Sequence, residues 1–207
     1  MKLLKLTAVI CSFILFQNVW SNTSPVPMLE QSANHIISTL KDNKSSLKAH
    51  PDIINKAINT YLVPHVDVAG MSRSVLGRQV WNKATPLERA QFSQEFTRLV
   101  IRTYASPLAQ YSDETVQFLP LRGSLNGRFI RVNSVIVRSS GQNIPLTYSM
   151  VTTKNEWKIY DLSVEGVSLL QSFRAQFAQA LQNTSIKDVI KQMHDKKINK
   201  VPTSEHN

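Results

Sequence analysis

The chain has 207 residues, 42% of them apolar and 18% charged. That globular balance suits one domain and excludes a disordered, collagenous or multi-span membrane chain. Lysine and arginine number 24 against 14 acidic residues, a net charge of +10, and the single cysteine, Cys11, excludes a disulfide framework or a cysteine-rich metal site.

Residues 1–21 open with Lys2 and Lys5, continue through an apolar run from Leu6 to Phe16 and end on the small Ser21. This is the pattern of a cleavable secretory signal peptide, with an apolar core too short to span a bilayer. Cleavage after Ser21 removes Lys2, Lys5 and Cys11, which takes the charge from +10 to +8 over residues 22–207. A cysteine-free exported domain fits a bacterial periplasm.

Past the leader, Leu29, Ala33, Ile36, Ile37 and Leu40 fall at helical spacing, and His50-Pro51-Asp52 breaks the pattern. Ile53, Ile54, Ala57, Ile58, Tyr61 and Leu62 predict a second helix that stops near Pro64. A short helix is expected over Val68 to Leu76, ended by Gly77. Thr85-Pro86-Leu87-Glu88 then reads as a capping box with proline in the first turn. The helix it opens carries Phe92, Phe96, Leu99, Val100, Tyr104, Leu108 and Tyr111 on one stripe.

The period next changes to two. Residues 115–119, 128–138, 144–152 and 156–162 are rich in β-branched and aromatic residues and predict four strands. Helical spacing returns after Gly166 with Leu170, Phe173, Phe177 and Leu181, and a basic helix follows Thr184-Ser185 with Ile186, Val189, Ile190 and Met193. Helices, an antiparallel meander and helices again give an α+β domain over 22–207, with helices packed on a curved sheet and a helical tail.

Chemistry is sparse. His35, His50, His65, His194 and His206 are scattered, with no pair at metal-ligand spacing, and no nucleophile elbow or glycine-rich phosphate loop occurs. Asp67 and Asp161 are isolated, and strand alternation separates Tyr160 from Asp161. No cofactor, metal or nucleic acid is expected. The basic charge reads either as a solvated surface or as attraction to anionic lipid or acidic protein. What the sequence supplies is apolar surface, and periodicity alone does not separate a packed core from a pocket.

Three stretches carry a family resemblance. They are Tyr61-Leu62-Val63-Pro64-His65-Val66-Asp67-Val68 running on to Val75-Leu76-Gly77, Trp81 through Arg89 with the stripe to Tyr111, and Trp157-Lys158-Ile159-Tyr160-Asp161 followed by Val164 to Ser168. In this order and spacing they resemble the MlaC family, the toluene-tolerance proteins that bind and shuttle phospholipid in the periplasm. The resemblance spans nearly the whole chain after the leader. It implies a fold akin to the NTF2-like and cystatin-like group, with acyl chains held in an internal apolar pocket between sheet and helices. It also implies phospholipid as cargo, and a monomer that docks on an outer-membrane lipoprotein complex and an inner-membrane ABC transporter complex with an MCE-domain protein. The role so implied is maintenance of outer-membrane lipid asymmetry.

On that reading the pocket wall is drawn from residues that one covered sheet face and the facing helices bring together. Leu146, Tyr148 and Met150 share one face of a strand, and Ile136 belongs to its neighbour. Phe96, Leu99, Val100 and Tyr104 come from the long helix, Leu169, Leu170 and Phe173 from the helix after Gly166, and Leu76 from the helix before Gly77. Two tails call for a cavity near or above the top of the usual ~300–1,000 Å³ range. Two other readings stay open: a periplasmic enzyme of the isomerase or dehydratase kind on an NTF2-like cone, and a non-lipid adaptor whose apolar residues are only a core.

Overall fold

The computed structural model describes residues 23–108, 110, 113–123, 125–139 and 141–198. The expected leader over 1–21, together with Tyr111 and His206, lies outside the described residues. Three helices come first: α1 (Val26–Asp42), α2 (Asp52–Tyr61) and, after a 3-10 turn (Val63–His65), α3 (Val68–Lys83). The long α4 (Pro86–Leu108) leads into β1 (Thr115–Phe118), β2 (Phe129–Val137), β3 (Ile144–Thr153), β4 (Glu156–Val164) and β5 (Val167–Ser168). Helices α5 (Leu169–Ala180) and α6 (Ile186–His194) close the described chain.

The helix starts are chemically explicit. At α4 the Thr85 N–H donates to Glu88 Oε2 at 2.8 Å while the Glu88 N–H donates to Thr85 Oγ1 at 3.2 Å, the reciprocal box expected from the sequence. Ser185 and Asp188 repeat it at α6. Asp67 caps α3 by accepting from the Gly70 N–H at 3.0 Å, and a Cβ at residue 70 would collide with that carboxylate. Gly77 does break a helix, as its sequence position suggests, but the chain does not stop there. At φ 73° and ψ 158°, a conformation reserved almost wholly for glycine, it kinks α3 and the helix resumes to Lys83.

The five strands form one antiparallel sheet in the order β1-β2-β3-β4-β5, so every connection is to a neighbour. The two-residue β5 is the strand the sequence did not announce. In β4, Asp161 pairs with Ser149 while Ile159 pairs with Met150, which leaves Tyr160 as a bulge. The extra residue shifts the alternation by one. Trp157 and Ile159 before it and Leu162 and Val164 after it therefore all point to the same sheet face, beside Leu146, Tyr148 and Met150.

That face meets the helices. Leu29 of α1 packs with Val132, Leu146, Tyr148, Met150, Trp157 and Ile159, and the Trp157 indole N–H donates to the Thr23 carbonyl at 3.0 Å. A second cluster joins α3, α4, α5 and α6 through Leu76, Phe92, Phe96, Leu99, Phe173 and Phe177. Its rings meet mainly edge to face, Phe96 and Phe173 with centroids 5.2 Å apart. A third, of Leu40, Leu47, Ile54, Ile58, Ile101 and Ala105, locks α1 and α2 against α4.

Candidate functional site

Between the covered sheet face and α4 lies a cavity lined by Leu62, Val66, Val68, Met71, Phe96, Thr97, Val100, Ile101, Tyr148, Ile159 and Leu162. Each wall has a local cause. Phe96 and Val100 are one helical turn apart on α4, so their side chains stack along one edge. Tyr148 faces them because strand alternation turns it to the covered side, and the Tyr160 bulge brings Ile159 and Leu162 to the same side. The remaining wall is the break between α2 and α3. Val66 forms a parallel bridge to Ile159, the Asp67 N–H donates to the Ile159 carbonyl at 2.8 Å, and Lys158 Nζ donates to the Pro64 carbonyl at 3.1 Å. These bonds stitch the 3-10 turn to the outer edge of β4.

Of the residues expected to line a pocket, the structure brings Phe96, Val100 and Tyr148 to this cavity. Leu76, Leu99, Leu169, Leu170 and Phe173 are buried in the helical cluster, with Tyr104 half-buried against it. Leu146 and Met150 are buried in the sheet cluster, with Ile136 packed at its margin. The wall residues not anticipated are Thr97 and Ile101 of α4, Ile159 and Leu162 of β4 and, around the break before α3, Leu62, Val66, Val68 and Met71. A signal for those at the break exists in the sequence: apolar residues persist through Leu62-Val63-Pro64-His65-Val66, where helical periodicity has already failed. An apolar run inside a chain break has a surface to cover.

The cavity holds about 100 Å³, well short of the ~300–1,000 Å³ typical of ligand pockets. The expectation of a two-tail cavity is thus not met in this conformation. Its lining is almost wholly apolar. The one titratable side chain in it, Tyr148, is held neutral: burial pushes its phenol above the ordinary value of 10.0, partly offset by the nearby Ser134 hydroxyl. That hydroxyl is itself buried and makes no hydrogen bond of good geometry.

The polar candidates are accounted for elsewhere. Asp161 is buried and accepts from Ser168 Oγ at 2.6 Å and from the Leu170 N–H at 3.0 Å, which fixes the start of α5. Glu95 is buried on the far side of α4, 2.6 Å from Arg98 Nη1 and 3.4 Å from His194 Nδ1 of α6. Among the described residues no cluster of three histidine, cysteine or acidic side chains is placed to hold a metal, and no helix is long and apolar enough to cross a membrane.

Comparison with known proteins gives consistent matches. A family described as MlaC protein matches residues 30–195. The toluene tolerance protein ttg2D of Pseudomonas putida is 28% identical over 159 residues, which cover 77% of this chain and 74% of that protein. The intermembrane phospholipid transport system binding protein MlaC of Haemophilus influenzae is 28% identical over 192 residues, 91% of this chain and 89% of that protein. Among solved structures, a phospholipid-binding protein from Ralstonia solanacearum, in complex with a phospholipid, aligns with a TM-score of 0.76 at 23% identity. That alignment covers 84% of this chain and 96% of the other. At that identity the likeness is one of fold.

Proposed function

Since the chain belongs to the MlaC family, we propose that it is a periplasmic phospholipid carrier which holds acyl chains between α4 and the covered face of the sheet. The observation that carries this reading is the cavity itself: an apolar wall on five elements, with no carboxylate, histidine, lysine or cysteine in its lining. Acyl chains ask for contact area and exclusion of water, and that lining supplies nothing else.

The energetics suit a carrier. One long acyl chain exposed to water costs on the order of 12 kcal/mol at ~0.8 kcal/mol per CH₂. A wall about as favourable as the bilayer removes that barrier while letting the lipid leave again. A cavity of about 100 Å³ is the closed form of such a site. Tails enter as Phe96, Met71 and Leu62 give way, and closure on release keeps water from the apolar wall. The headgroup stays in solvent, so the carrier takes phospholipids without regard to headgroup.

In this role the protein, freed of residues 1–21, passes lipid as a monomer between an outer-membrane lipoprotein complex and an inner-membrane ABC transporter complex with an MCE-domain protein. That traffic maintains outer-membrane asymmetry. An isomerase or dehydratase would need an acid or base facing its substrate. The relatives are named for binding, transport and tolerance rather than for a reaction, which favours the carrier.

Organic extraction of the purified protein, followed by mass spectrometry, tests the reading. Glycerophospholipid of mixed headgroup, about one molecule per chain, is expected. Protein stripped of lipid that takes none back from vesicles would overturn it.

A further inference from the structure

The sheet has a second face, turned away from the cavity. On β2, Phe129, Arg131 and Asn133 point to it and are exposed, with Val135 and Val137 half-buried beyond them. Strand pairing adds Thr115 and Gln117 of β1 and Pro145 and Thr147 of β3. Leu119, bonded through its N–H to the Asn133 carbonyl, continues the row at the end of β1. Two of the large apolar side chains most exposed among the described residues, Phe129 at 58% and Leu119 at 45%, therefore flank this face.

The charge of β1 to β3 and the connections that join them is of one sign. From Thr115 to Asn155 the chain contains Arg122, Arg128, Arg131, Arg138 and Lys154 and not one aspartate or glutamate. All five cations are exposed; Arg131 lies in the open-face row of β2, while Arg122, Arg128, Arg138 and Lys154 stand in the connections at the strand ends, on the rim of the face. The nearest carboxylates in β4 are engaged: Glu156 pairs with Lys158 at 2.9 Å, and Asp161 is buried under the start of α5. Arg128 lays its guanidinium 5.5 Å from the centre of the Phe129 ring, and Tyr160 meets the same ring edge-on at 5.6 Å.

From this arrangement we propose that the open face of β1–β3 docks the protein on an anionic lipid bilayer, with Phe129 and Leu119 at the headgroup level and the arginines on lipid phosphates. Arginine reaches phosphate with two parallel donors, and its stem shields neighbouring apolar surface. A face that carries Arg131, has further cations at its rim and holds no acidic side chain offers no alternation of sign to fix the register of a protein partner, which interfaces between proteins ordinarily use. A laterally uniform anionic surface needs no register. Contact on this side leaves the helix-covered face, with its cavity, on the opposite side of the sheet.

The test is co-sedimentation of the secreted protein with vesicles of phosphatidylethanolamine and phosphatidylglycerol, against vesicles of phosphatidylcholine. Binding to the anionic vesicles alone is expected, weakening as salt shortens the Debye length from ~8 Å at physiological ionic strength. The combined variant Arg128→Gln, Arg131→Gln and Arg138→Gln should lose about tenfold or more in partition. The charge-matched variant Lys83→Gln, Lys187→Gln and Lys191→Gln, on the helical side, should bind as the parent does. Phe129→Ser, which keeps all charge, should also bind less. Equal loss in the two charge variants, or undiminished binding by the arginine variant, would overturn the proposal. So would no binding of the parent protein, which would leave this face to an acidic protein. Circular dichroism and bound-lipid mass spectrometry on the same samples separate docking from folding and from cargo, since each charge variant should keep its phospholipid.

Discussion

Asp161 and Ser168 face each other across the turn between β4 and β5, with the serine hydroxyl donating to the carboxylate at 2.6 Å. Ser168 Oγ at the same time accepts from the Gln171 N–H, and Asp161 receives the Leu170 N–H. A buried acid thus serves as a helix anchor. Asp161→Ala should lower unfolding stability by about 1–3 kcal/mol, because it strands two donors near the core. Bound phospholipid, measured on the same samples, should be unchanged. A loss of lipid with no loss of stability would instead place Asp161 in the binding site.

Residues along α4 divide by what they face. Val100 is half-buried at the cavity while Leu99, next in the chain, is fully buried in the helical cluster. Val100→Trp should fill the cavity, leave the protein folded and abolish lipid uptake. Leu99→Ala should cost about 2–5 kcal/mol as a core truncation and spare lipid uptake. Lipid uptake by Val100→Trp at the parent level would move the pocket elsewhere.

His65 sits on the turn that closes the cavity. Burial, reinforced by the neighbouring Lys158 ammonium and opposed by Glu156, holds its imidazole below the ordinary value of 6.5. The unfolded chain therefore takes up a proton at a higher pH than the folded one. The contribution is fully present above about pH 6.5 and is lost as pH falls through the lower folded value. Melting temperature should drop over that window, and His65→Gln should flatten the dependence. An unchanged slope in the variant would assign the titration to other groups.

Gly77 carries a φ of 73° with nothing within 4 Å of where a Cβ would stand. Gly77→Ala is therefore a purely conformational insult, expected to cost about 1–3 kcal/mol by denaturant titration. If the alanine protein is as stable as the parent, the kink in α3 is not obligatory.

Local chemistry made much of this fold legible. Thr85 and Glu88 announce α4 because a capping box needs only neighbours in sequence, and the β-branched runs mark four of the strands for the same reason. Gly77 was legible as a break but not as a kink, since resumption of the helix depends on what Val80 and Trp81 find to pack against. The cavity was legible in its apolar supply and in Phe96, Val100 and Tyr148 of its lining. It was not legible in its boundary, because Leu99 and Val100 differ only in which neighbour they meet. Leu62 and Val66 were hidden for a further reason: their partners lie in β4, about a hundred residues on, and no local period points there.

The Tyr160 bulge makes β4 a strand written in two frames. Its first half reads inward at odd positions, Trp157 and Ile159, and its second half at even ones, Leu162 and Val164. Excising that single residue would give a strand with regular pairing and better alternation by eye. Pairing the full strand without the bulge would instead turn one half inside out, exposing two large apolar side chains and burying Lys158 or Ser163 in their place. The bulge is thus what lets a nine-residue strand with an extra position present one continuous apolar wall to the cavity.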